Sequence, residues 1–476
     1  MNATQRSRIG MSFLPVAIVT VVLAILFFAA LIGGSRSIVF VVLCFISAAV
    51  VWIAWRAVEN ANKWTLLGDF FSPQVAFPVA YIVWFTLGSI DVIELPDSIS
   101  FGAFAPIPSR MWVYYLVGLI GYLAGLFLLH PRMSSRRENS SMRNNWEPSA
   151  FWVTTGSLAC LTLVSYSALA YMYGIPSLHA SAEEIRLNWV GWTHTAFICS
   201  AWLLLILIPV YLWSRRASRK EKIVSVLLVT IVTLLLLSTA GRTNVLVPFL
   251  TILVGLHYLR IHLSLKRMLL VGILALAVLG LYGYSRDFIF DDSDPGYWLN
   301  EAGVPGWIVP PLYGVLYVRY SVATFRDIVA AIPLHVPYQA GALTFEPLAH
   351  LFLRTTTETS DLFFKGMLGN DFVGGGQPAT LLGPLYGDFG ATGVFVGMLL
   401  FGVAAGWTYA RLLRLARPID VILYAWVLQT GLFGLFAGPF PSNVTLIVPV
   451  FCILFDRIAF SSGVGRQFNC APDVSG

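Results

Sequence analysis

The sequence predicts an all-α, polytopic integral membrane protein with about 12 transmembrane helices and one large extracytoplasmic loop. Composition is the first observation: 57% of the 476 residues are hydrophobic and 11% are charged, whereas soluble domains carry about 25% charged residues. The mean hydropathy of +0.77 is the second. The third is that apolar runs of about 20 residues, each long enough to cross a hydrocarbon core, recur along the chain.

The apolar runs place the spans in chain order, joined mostly by short loops. The first run has no small-residue cleavage site followed by soluble sequence, so we interpret it as a retained span and not as a signal peptide. The predicted spans are 11–33, 37–55, 70–90, 111–130, 151–173, 192–213, 223–239, 243–259, 268–285, 390–410, 419–437 and 443–459. Residues 1–476 thus form a single transmembrane domain, and residues 286–380 form an extracytoplasmic loop within it.

Basic residues give the predicted orientation, because short loops rich in Lys and Arg stay in the cytoplasm. One alternating set of loops holds most of them, while the opposite set holds nine basic residues and most of the acidic ones. This pattern predicts that both termini are cytoplasmic and that the loop 286–380 faces outward. The net charge of +6 then reflects topology, and no basic face suited to nucleic acid is evident.

Four arginines on the outward side are candidates for binding an anionic group, since positive charge is depleted there and needs a partner. Arg242 lies in the tight turn 238–244 between two spans, where snorkelling to the interface is the alternative role. Arg286 ends a span next to an aspartate, so an ion pair is its alternative. Surface salt bridges are the alternative for Arg319 and Arg354.

The outward loop is predicted to contain two amphipathic helices, at 317–331 and 345–354, separated by a proline-containing break at 332–338. We expect both helices to lie on the outer surface and to cover a cavity between the spans. Arg326 adjoins Asp327, and we interpret the two as a solvated ion pair outside the site.

Several motifs of soluble enzymes are absent from the sequence. There is no Walker-type phosphate loop, no HExxH zinc helix and no GxSxG elbow. The run 374–376 is all glycine but is followed by Gln-Pro, which does not suit a nucleotide cradle. The histidines lack metal-ligand spacing, and the five cysteines show no paired spacing. We therefore expect neither a metal nor another cofactor.

Two motifs carry a resemblance to a known family. The first is the hairpin 237–244, which contains Thr-Ala-Gly-Arg between two spans. The second is the region 375–402, with Pro-Ala-Thr at 378–380 and Leu-Tyr-Gly-Asp-Phe-Gly at 385–390. With these motifs the chain resembles the Wzy-type O-antigen and oligosaccharide repeat-unit polymerases. The family more often has Gly-Ser-Arg in the hairpin, and the departure here keeps the arginine.

The resemblance implies a glycosyltransferase of the bacterial inner membrane that joins undecaprenyl-diphosphate-linked repeat units into O-antigen or exopolysaccharide. In such a reaction the acceptor hydroxyl attacks the anomeric carbon and the lipid diphosphate leaves. Arginines can stabilise that leaving group without metal or nucleotide. The expected partners are undecaprenyl-diphosphate-linked oligosaccharides, membrane lipids and a chain-length regulator protein, and not nucleic acid.

The resemblance and the residues together give the candidate site. The candidate catalytic residues are Arg242, Arg286, Arg319, Arg354, Asp388 and His350. The candidate substrate-binding residues are Tyr313, Tyr317, Tyr320, Tyr338, Gln377 and Tyr386. We expect the four arginines to converge on one outward cavity, with Asp388 and Tyr386 at its mouth. Helix capping is the alternative for Asp388, and the sequence does not rank Asp388, His350 and Glu346 as the general base.

Two other functions remain open at this point. An O-antigen ligase-like enzyme would use the same donor and transfer glycan to lipid A core. A flippase or transporter of lipid-linked oligosaccharide would predict inverted internal repeats, and none is evident in the sequence.

Overall fold

The computed structural model describes the chain in segments. They are residues 71–89, 107–108, 110–133, 146–179, 185, 188–189, 191–214, 217–239, 241–259, 281, 309–353, 360–367, 378–415, 417–438 and 444–467. These residues are helical and contain no β-strand. In chain order their helices are α1 (Ala76–Ser89), α2 (Met111–Met133), α3 (Pro148–Tyr173), α4 (Gly191–Ser214), α5 (Arg219–Leu237), α6 (Arg242–Leu259), α7 (Val309–Ala331), α8 (Glu346–Leu353), α9 (Ser360–Met367), α10 (Leu382–Leu415), α11 (Pro418–Ala437) and α12 (Val444–Gln467).

Five of these helices, α2, α3, α4, α10 and α11, are long and apolar enough to cross a membrane. Two shorter ones, α1 and α6, are also apolar. Nine of the predicted spans coincide with described helices. The predicted spans 11–33 and 37–55 lie outside the described residues, as does 268–285 apart from residue 281. The total of about 12 spans and the outward side of the loop therefore stay predictions.

Local sequence signals fix several helix ends. At the start of α5, Glu221 N–H donates to Ser218 Oγ over 3.3 Å, and Ser218 N–H donates to Glu221 Oε2 over 2.6 Å. This reciprocal pair satisfies two backbone donors that the first helical turn leaves without partners. Pro148 and Pro418 occupy the first turns of α3 and α11, where a missing N–H has no cost. Gly174, with φ of 87°, ends α3.

The helices form two packed groups that share α6 and α11. The first group has a core from α1, α2, α7 and α10 together with Val254 of α6, and the second has a core from α3, α4, α5 and α12 together with Val247 of α6. Val421, Tyr424 and Leu428 of α11 belong to the first core, while Ile422 and Trp426 belong to the second. Opposite faces of one helix therefore fill both cores.

Glycines bring α2 and α10 into backbone contact. A Cβ added at Gly121 would lie 2.5 Å from the carbonyl oxygen of Phe395, and one added at Gly125 would lie 2.1 Å from that of Leu399. Only glycine permits such an approach. Residues later in α2 meet residues later in α10, so the two helices run parallel and end on the same side of the group.

Helix α1 runs antiparallel to α2. The Tyr81 hydroxyl donates to the carbonyl oxygen of Tyr115 over 2.8 Å, and the Tyr122 hydroxyl donates to that of Pro73 over 2.8 Å. The carboxyl end of α1 therefore lies beside the amino end of α2. We call this side of the first group the Arg319 end, and the side where α2 and α10 terminate the Arg411 end.

Helix α10 bends sharply at Gly390, whose φ of 64° and ψ of −150° are not helical. A Cβ at Gly393 would lie 2.2 Å from the carbonyl oxygen of Leu385, so residues 382–389 fold back against the longer part of the helix. The predicted span 390–410 begins at this bend. Glycine is required at 390 because a side chain there would be strained and would meet the Tyr338 hydroxyl at 2.8 Å.

The predicted position of α7 on the outer surface is wrong. Val318, Val322, Phe325 and Ile328 of this helix are all buried, and α7 packs on α1, α10 and α11. Gly88 of α1 permits the approach, since a Cβ there would lie 2.4 Å from Cγ2 of Val322. The predicted break does follow α7, as turns at 332–336.

At α8 the apolar Leu348 is 37% exposed, the preceding Phe345 is 52% exposed and Glu346 is buried. The position of this helix on the outer surface stays a prediction.

Candidate functional site

Helix α7 carries two arginines on one face inside the protein. Arg319 and Arg326 are seven residues apart, which is about two helical turns or 10 Å along the axis. Arg319 is 3% exposed and Arg326 is 7% exposed. Removing a guanidinium from water costs several kcal/mol unless its donors are satisfied. Both side chains therefore need fixed partners.

Arg319 is held at the carboxyl end of α1. Its Nη1 donates to the carbonyl oxygen of Gly88 over 3.0 Å. The last carbonyls of a helix have no partner within that helix, so Arg319 satisfies one of them and gains a defined position. Ser321, on the same helix, accepts a hydrogen bond from Trp84 Nε1 of α1 over 3.1 Å and holds the two helices together.

Arg326 makes a two-pronged ion pair with Asp327. Nε donates to Oδ1 over 2.7 Å and Nη2 donates to Oδ2 over 3.1 Å. The ion pair predicted from the sequence is present, but its description as solvated is wrong for the arginine, because only the Asp327 side chain, at 31% exposure, reaches solvent. The sequence analysis therefore missed Arg326. Its spacing of seven residues from Arg319, which places both arginines on one helix face, could have indicated it.

Two buried hydroxyls lie in the part of the core that holds these arginines. Ser89 follows Gly88, whose carbonyl oxygen accepts from Arg319, and the Tyr115 ring lies 6.0 Å from the ring of Phe325, which precedes Arg326. The two hydroxyls neighbour each other, and neither makes a hydrogen bond of good geometry to a further described residue. This arrangement suits a polar group bound beside the two guanidinium groups.

A row of aromatic rings connects the buried arginines with the surface. The rings of Tyr114 and Tyr386 are 5.0 Å apart, and those of Tyr386 and Tyr338 are 6.3 Å apart. Phe325, next to Arg326, lies 6.0 Å from Tyr386. Tyr338 is 43% exposed, whereas Tyr386 is 5% exposed. Tyr338 therefore offers a ring to an outside molecule and Tyr386 supports it from behind.

Asp388 anchors the turn that carries the exposed end of this row. It is 1% exposed. Its Oδ1 accepts the Leu343 N–H over 3.1 Å and its Oδ2 accepts the Thr344 N–H over 2.7 Å. The Gln339 N–H donates to the carbonyl oxygen of Gly387 over 3.0 Å. Both carboxylate oxygens thus hold the turn 339–344 against the bend of α10.

The hairpin that contains Arg242 is held by the end of α3. The hydroxyls of Tyr166 and Ser238 are 2.7 Å apart, and the Ser177 N–H donates to the carbonyl oxygen of Ser238 over 3.1 Å. Asn244 Nδ2 donates to Thr239 Oγ1 over 3.0 Å across the turn. Helix α6 then starts at Arg242.

The described structure places only some of the predicted site residues. Arg319, Tyr338, Tyr386 and Asp388 lie in the region described above, and Tyr320 is half-buried on α7. The backbone is described but the side chain is not for Arg242, Tyr313, Tyr317 and His350. Outside the described residues are Arg286, Arg354 and Gln377. Convergence of the four predicted arginines therefore stays a prediction.

Within the described segments, no group of three His, Cys, Asp or Glu side chains could hold a metal ion. The positive charge that these segments bring to the site is that of Arg319 and Arg326. The chain matches no family model, no curated protein and no solved structure.

Proposed function

We propose that this protein is a glycosyltransferase that joins undecaprenyl-diphosphate-linked oligosaccharide repeat units into O-antigen or exopolysaccharide, on the outer face of the bacterial inner membrane. One observation carries the proposal. Arg319 and Arg326 are buried on one face of α7, in the part of the core that also holds the Tyr115 and Ser89 hydroxyls. Membrane proteins seldom bury charge without a functional reason.

The charge that develops in this reaction matches the site. The acceptor hydroxyl forms a bond to the anomeric carbon, the bond from that carbon to the lipid diphosphate breaks, and the diphosphate leaves with the electron pair. Its oxygens would bind the guanidinium of Arg319, which the Gly88 carbonyl already fixes in place. Donors fixed before the reaction need no reorganisation when the charge appears. Arginine also presents paired N–H groups to phosphate oxygens.

Arg326 would bind the same diphosphate while keeping part of its contact with Asp327. A diphosphate carries several negative charges and could contact both guanidinium groups, which lie on one face of the same helix. The Tyr115 hydroxyl and Ser89 Oγ would donate further hydrogen bonds to diphosphate oxygens.

The aromatic row would bind the sugars. Sugar rings have apolar faces that pack on aromatic side chains, and Tyr338 is exposed at the outer end of the row. Tyr386 and Tyr114 continue from it toward α7. The row therefore supplies a path between bulk solvent and the proposed position of the leaving group.

The relative directions of the helices agree with the predicted order of crossings. The predicted spans 111–130 and 390–410 both cross from outside to inside, which requires α2 and α10 to be parallel, and their glycine contacts are parallel. The same topology has α1 crossing in the opposite direction, as its hydrogen bonds to α2 require. In this orientation the Arg319 end faces outward, where lipid-linked repeat units would be polymerised.

The proton from the acceptor hydroxyl needs a base. Asp388 is poorly suited, because both of its oxygens accept backbone hydrogen bonds, and we assign it a positioning role for the turn that carries Tyr338. Glu346, at the start of α8, and His350, one turn later on that helix, are the other candidates.

A deletion strain tests the reaction class through its surface glycan. Caps carrying a single repeat unit support a polymerase. Absence of glycan would identify a ligase or a flippase, and accumulation of intermediates inside the cell would identify a flippase.

The arginines are tested with purified protein and a lipid-linked repeat unit. Arg319→Ala and Arg326→Ala should each cost about 2–5 kcal/mol of transition-state stabilisation, which lowers the rate by at least about 30-fold. Lysine should restore little, since it lacks the planar fork. Arg219→Ala, at an exposed arginine of α5, is the matched control and should keep full activity. Full-length polymer from both α7 variants at normal abundance would contradict the proposal.

A further inference from the structure

The Arg411 end of the first helix group contains a cavity of about 270 Å³. It lies between the carboxyl ends of α2 and α10, and its lining residues are Leu129, Trp407, Ala410, Arg411, Arg414 and Leu415. Pockets for drug-sized ligands usually measure about 300–1,000 Å³. This one therefore suits a small polar group better than an oligosaccharide, and it is separated from the Arg319 end by the length of α10.

Two arginines at this cavity differ in how firmly they are held. Arg411 is fixed, because its Nε donates to Asp420 Oδ1 over 2.5 Å and its guanidinium carbon lies 5.7 Å from the centre of the Trp407 ring. Arg414 is exposed and makes no ion pair with any described residue. The cavity thus combines one positioned guanidinium with one that can move to meet a ligand.

The ion pairs around Arg411 do not include Arg414. Asp420 is fully buried and its second oxygen accepts from Arg417 Nε over 3.0 Å. Arg417 Nη1 also lies 3.6 Å from Asp456 Oδ2. Among the described ion pairs, Arg411 and Arg417 thus balance Asp420 and Asp456. A ligand with a single negative charge would pair with Arg414.

The surroundings of the cavity match the edge of a bilayer. The apolar part of α2 ends at Leu129, which lines the cavity. Leu128 and Leu400 nearby are 64% and 60% exposed, and Trp407 is 47% exposed. Tryptophan is enriched at the membrane interface, and apolar side chains exposed on spanning helices face hydrocarbon. A ligand in this cavity can therefore extend acyl chains along the outer faces of α2 and α10.

We propose that this cavity binds the phosphodiester headgroup of an anionic phospholipid, with Arg411 and Arg414 as its cationic ligands. Basic pockets between spanning helices have the chemistry that such headgroups require. A phosphodiester carries a single negative charge, which would pair with Arg414. This inference does not depend on the proposed glycosyltransferase activity.

Arginines in the last turn of a helix also complement the helix dipole, and that role needs no lipid. Lipid selectivity distinguishes the two roles. Native mass spectrometry of the full chain, released from micelles with added phosphatidylglycerol, phosphatidylcholine or inorganic phosphate, measures it directly. The wild-type protein should retain one phosphatidylglycerol molecule, and neither phosphatidylcholine nor inorganic phosphate should compete for it.

Arg414→Gln should weaken phosphatidylglycerol retention about tenfold, and this exposed side chain can be changed without breaking the Asp420 network. Arg219→Gln removes the same charge from the start of α5 and should leave retention unchanged. Equal retention of phosphatidylcholine, or unchanged retention in Arg414→Gln, would overturn the proposal. Displacement by inorganic phosphate would assign the cavity to a free anion and would overturn it as well.

Discussion

The contact between α2 and α10 can be tested by adding a single methyl group at Gly125. A Cβ at this position would lie 2.1 Å from the carbonyl oxygen of Leu399 and 2.9 Å from the backbone nitrogen of Val403. Both atoms belong to backbone, so no side-chain rotation can relieve the clash. An ordinary contact begins near 3.4 Å, and the helices must therefore separate by about 1.3 Å (3.4 − 2.1).

A matched variant at Gly156 of α3 separates the stability lost through this clash from the effect of alanine on helix propensity. A Cβ there would meet no atom within 4 Å. Alanine improves helix propensity by about 1 kcal/mol at either position, so the difference between the two variants reports packing alone. Overpacking of this kind costs about 1–3 kcal/mol. We expect Gly125→Ala to be less stable than Gly156→Ala by that amount.

Reversible unfolding in mixed micelles, with increasing dodecyl sulfate, measures the free energy of unfolding of both variants. Gly156→Ala should be at least as stable as the wild type. The close parallel contact would be refuted if Gly125→Ala were equally stable. Under the proposed function, the same variant should also lower polymer synthesis, because α2 and α10 carry Tyr114 and Tyr386.

Four further variants test the contacts around the two ends. Asp388→Asn should destabilise the protein by about 1–3 kcal/mol, since one backbone N–H would face an amide NH2; unchanged proteolysis of the turn 339–344 would contradict this. Asp420→Asn should cost about 2–3 kcal/mol in an unfolding titration, somewhat less than for a fully buried pair, because Arg411 and Arg417 keep 32% and 27% side-chain exposure. Tyr386→Ala should lower stability by about 3–5 kcal/mol. Tyr338→Ala should weaken oligosaccharide binding in calorimetry while changing stability by less than about 1 kcal/mol, and equal stability losses in the two tyrosine variants would argue against the proposed division of roles.

The positions of the spanning helices could be predicted because hydropathy and length are local properties of the sequence. Proline and glycine correctly indicated where two helices end or bend. The break after α7 contains Pro333 and Pro337, and the predicted span starting at 390 begins at the bend of Gly390. What hydropathy could not give was the packing partner of each helix. The sequence Gly-Tyr-Leu-Ala-Gly at 121–125 contained the signal for close approach, but it did not identify α10 as the neighbour.

The candidate site could also be predicted only in part, because its residues depend on contacts between distant parts of the chain. Arg319 was found by its charge on the side that topology depletes. Arg326 was dismissed because an adjacent aspartate resembles a surface pair, whereas its burial depends on helices from distant parts of the chain, since α7 packs on α1, α10 and α11. The role of Asp388 depends on N–H groups 44 and 45 residues away. Contacts at such separations are set by the tertiary fold and leave no local pattern.

The division of α11 between two cores has a consequence for how the protein responds to stress. Tyr424 and Trp426, two residues apart, sit in different cores, and the Tyr424 hydroxyl donates to the carbonyl oxygen of Phe71 while Trp426 Nε1 donates to that of Thr445. Displacement of α11 from one helix group therefore also breaks its contacts with the other group. The two groups should therefore unfold in one cooperative step. A destabilising substitution in α11 should lower the stability of both the amino-terminal and the carboxyl-terminal helices.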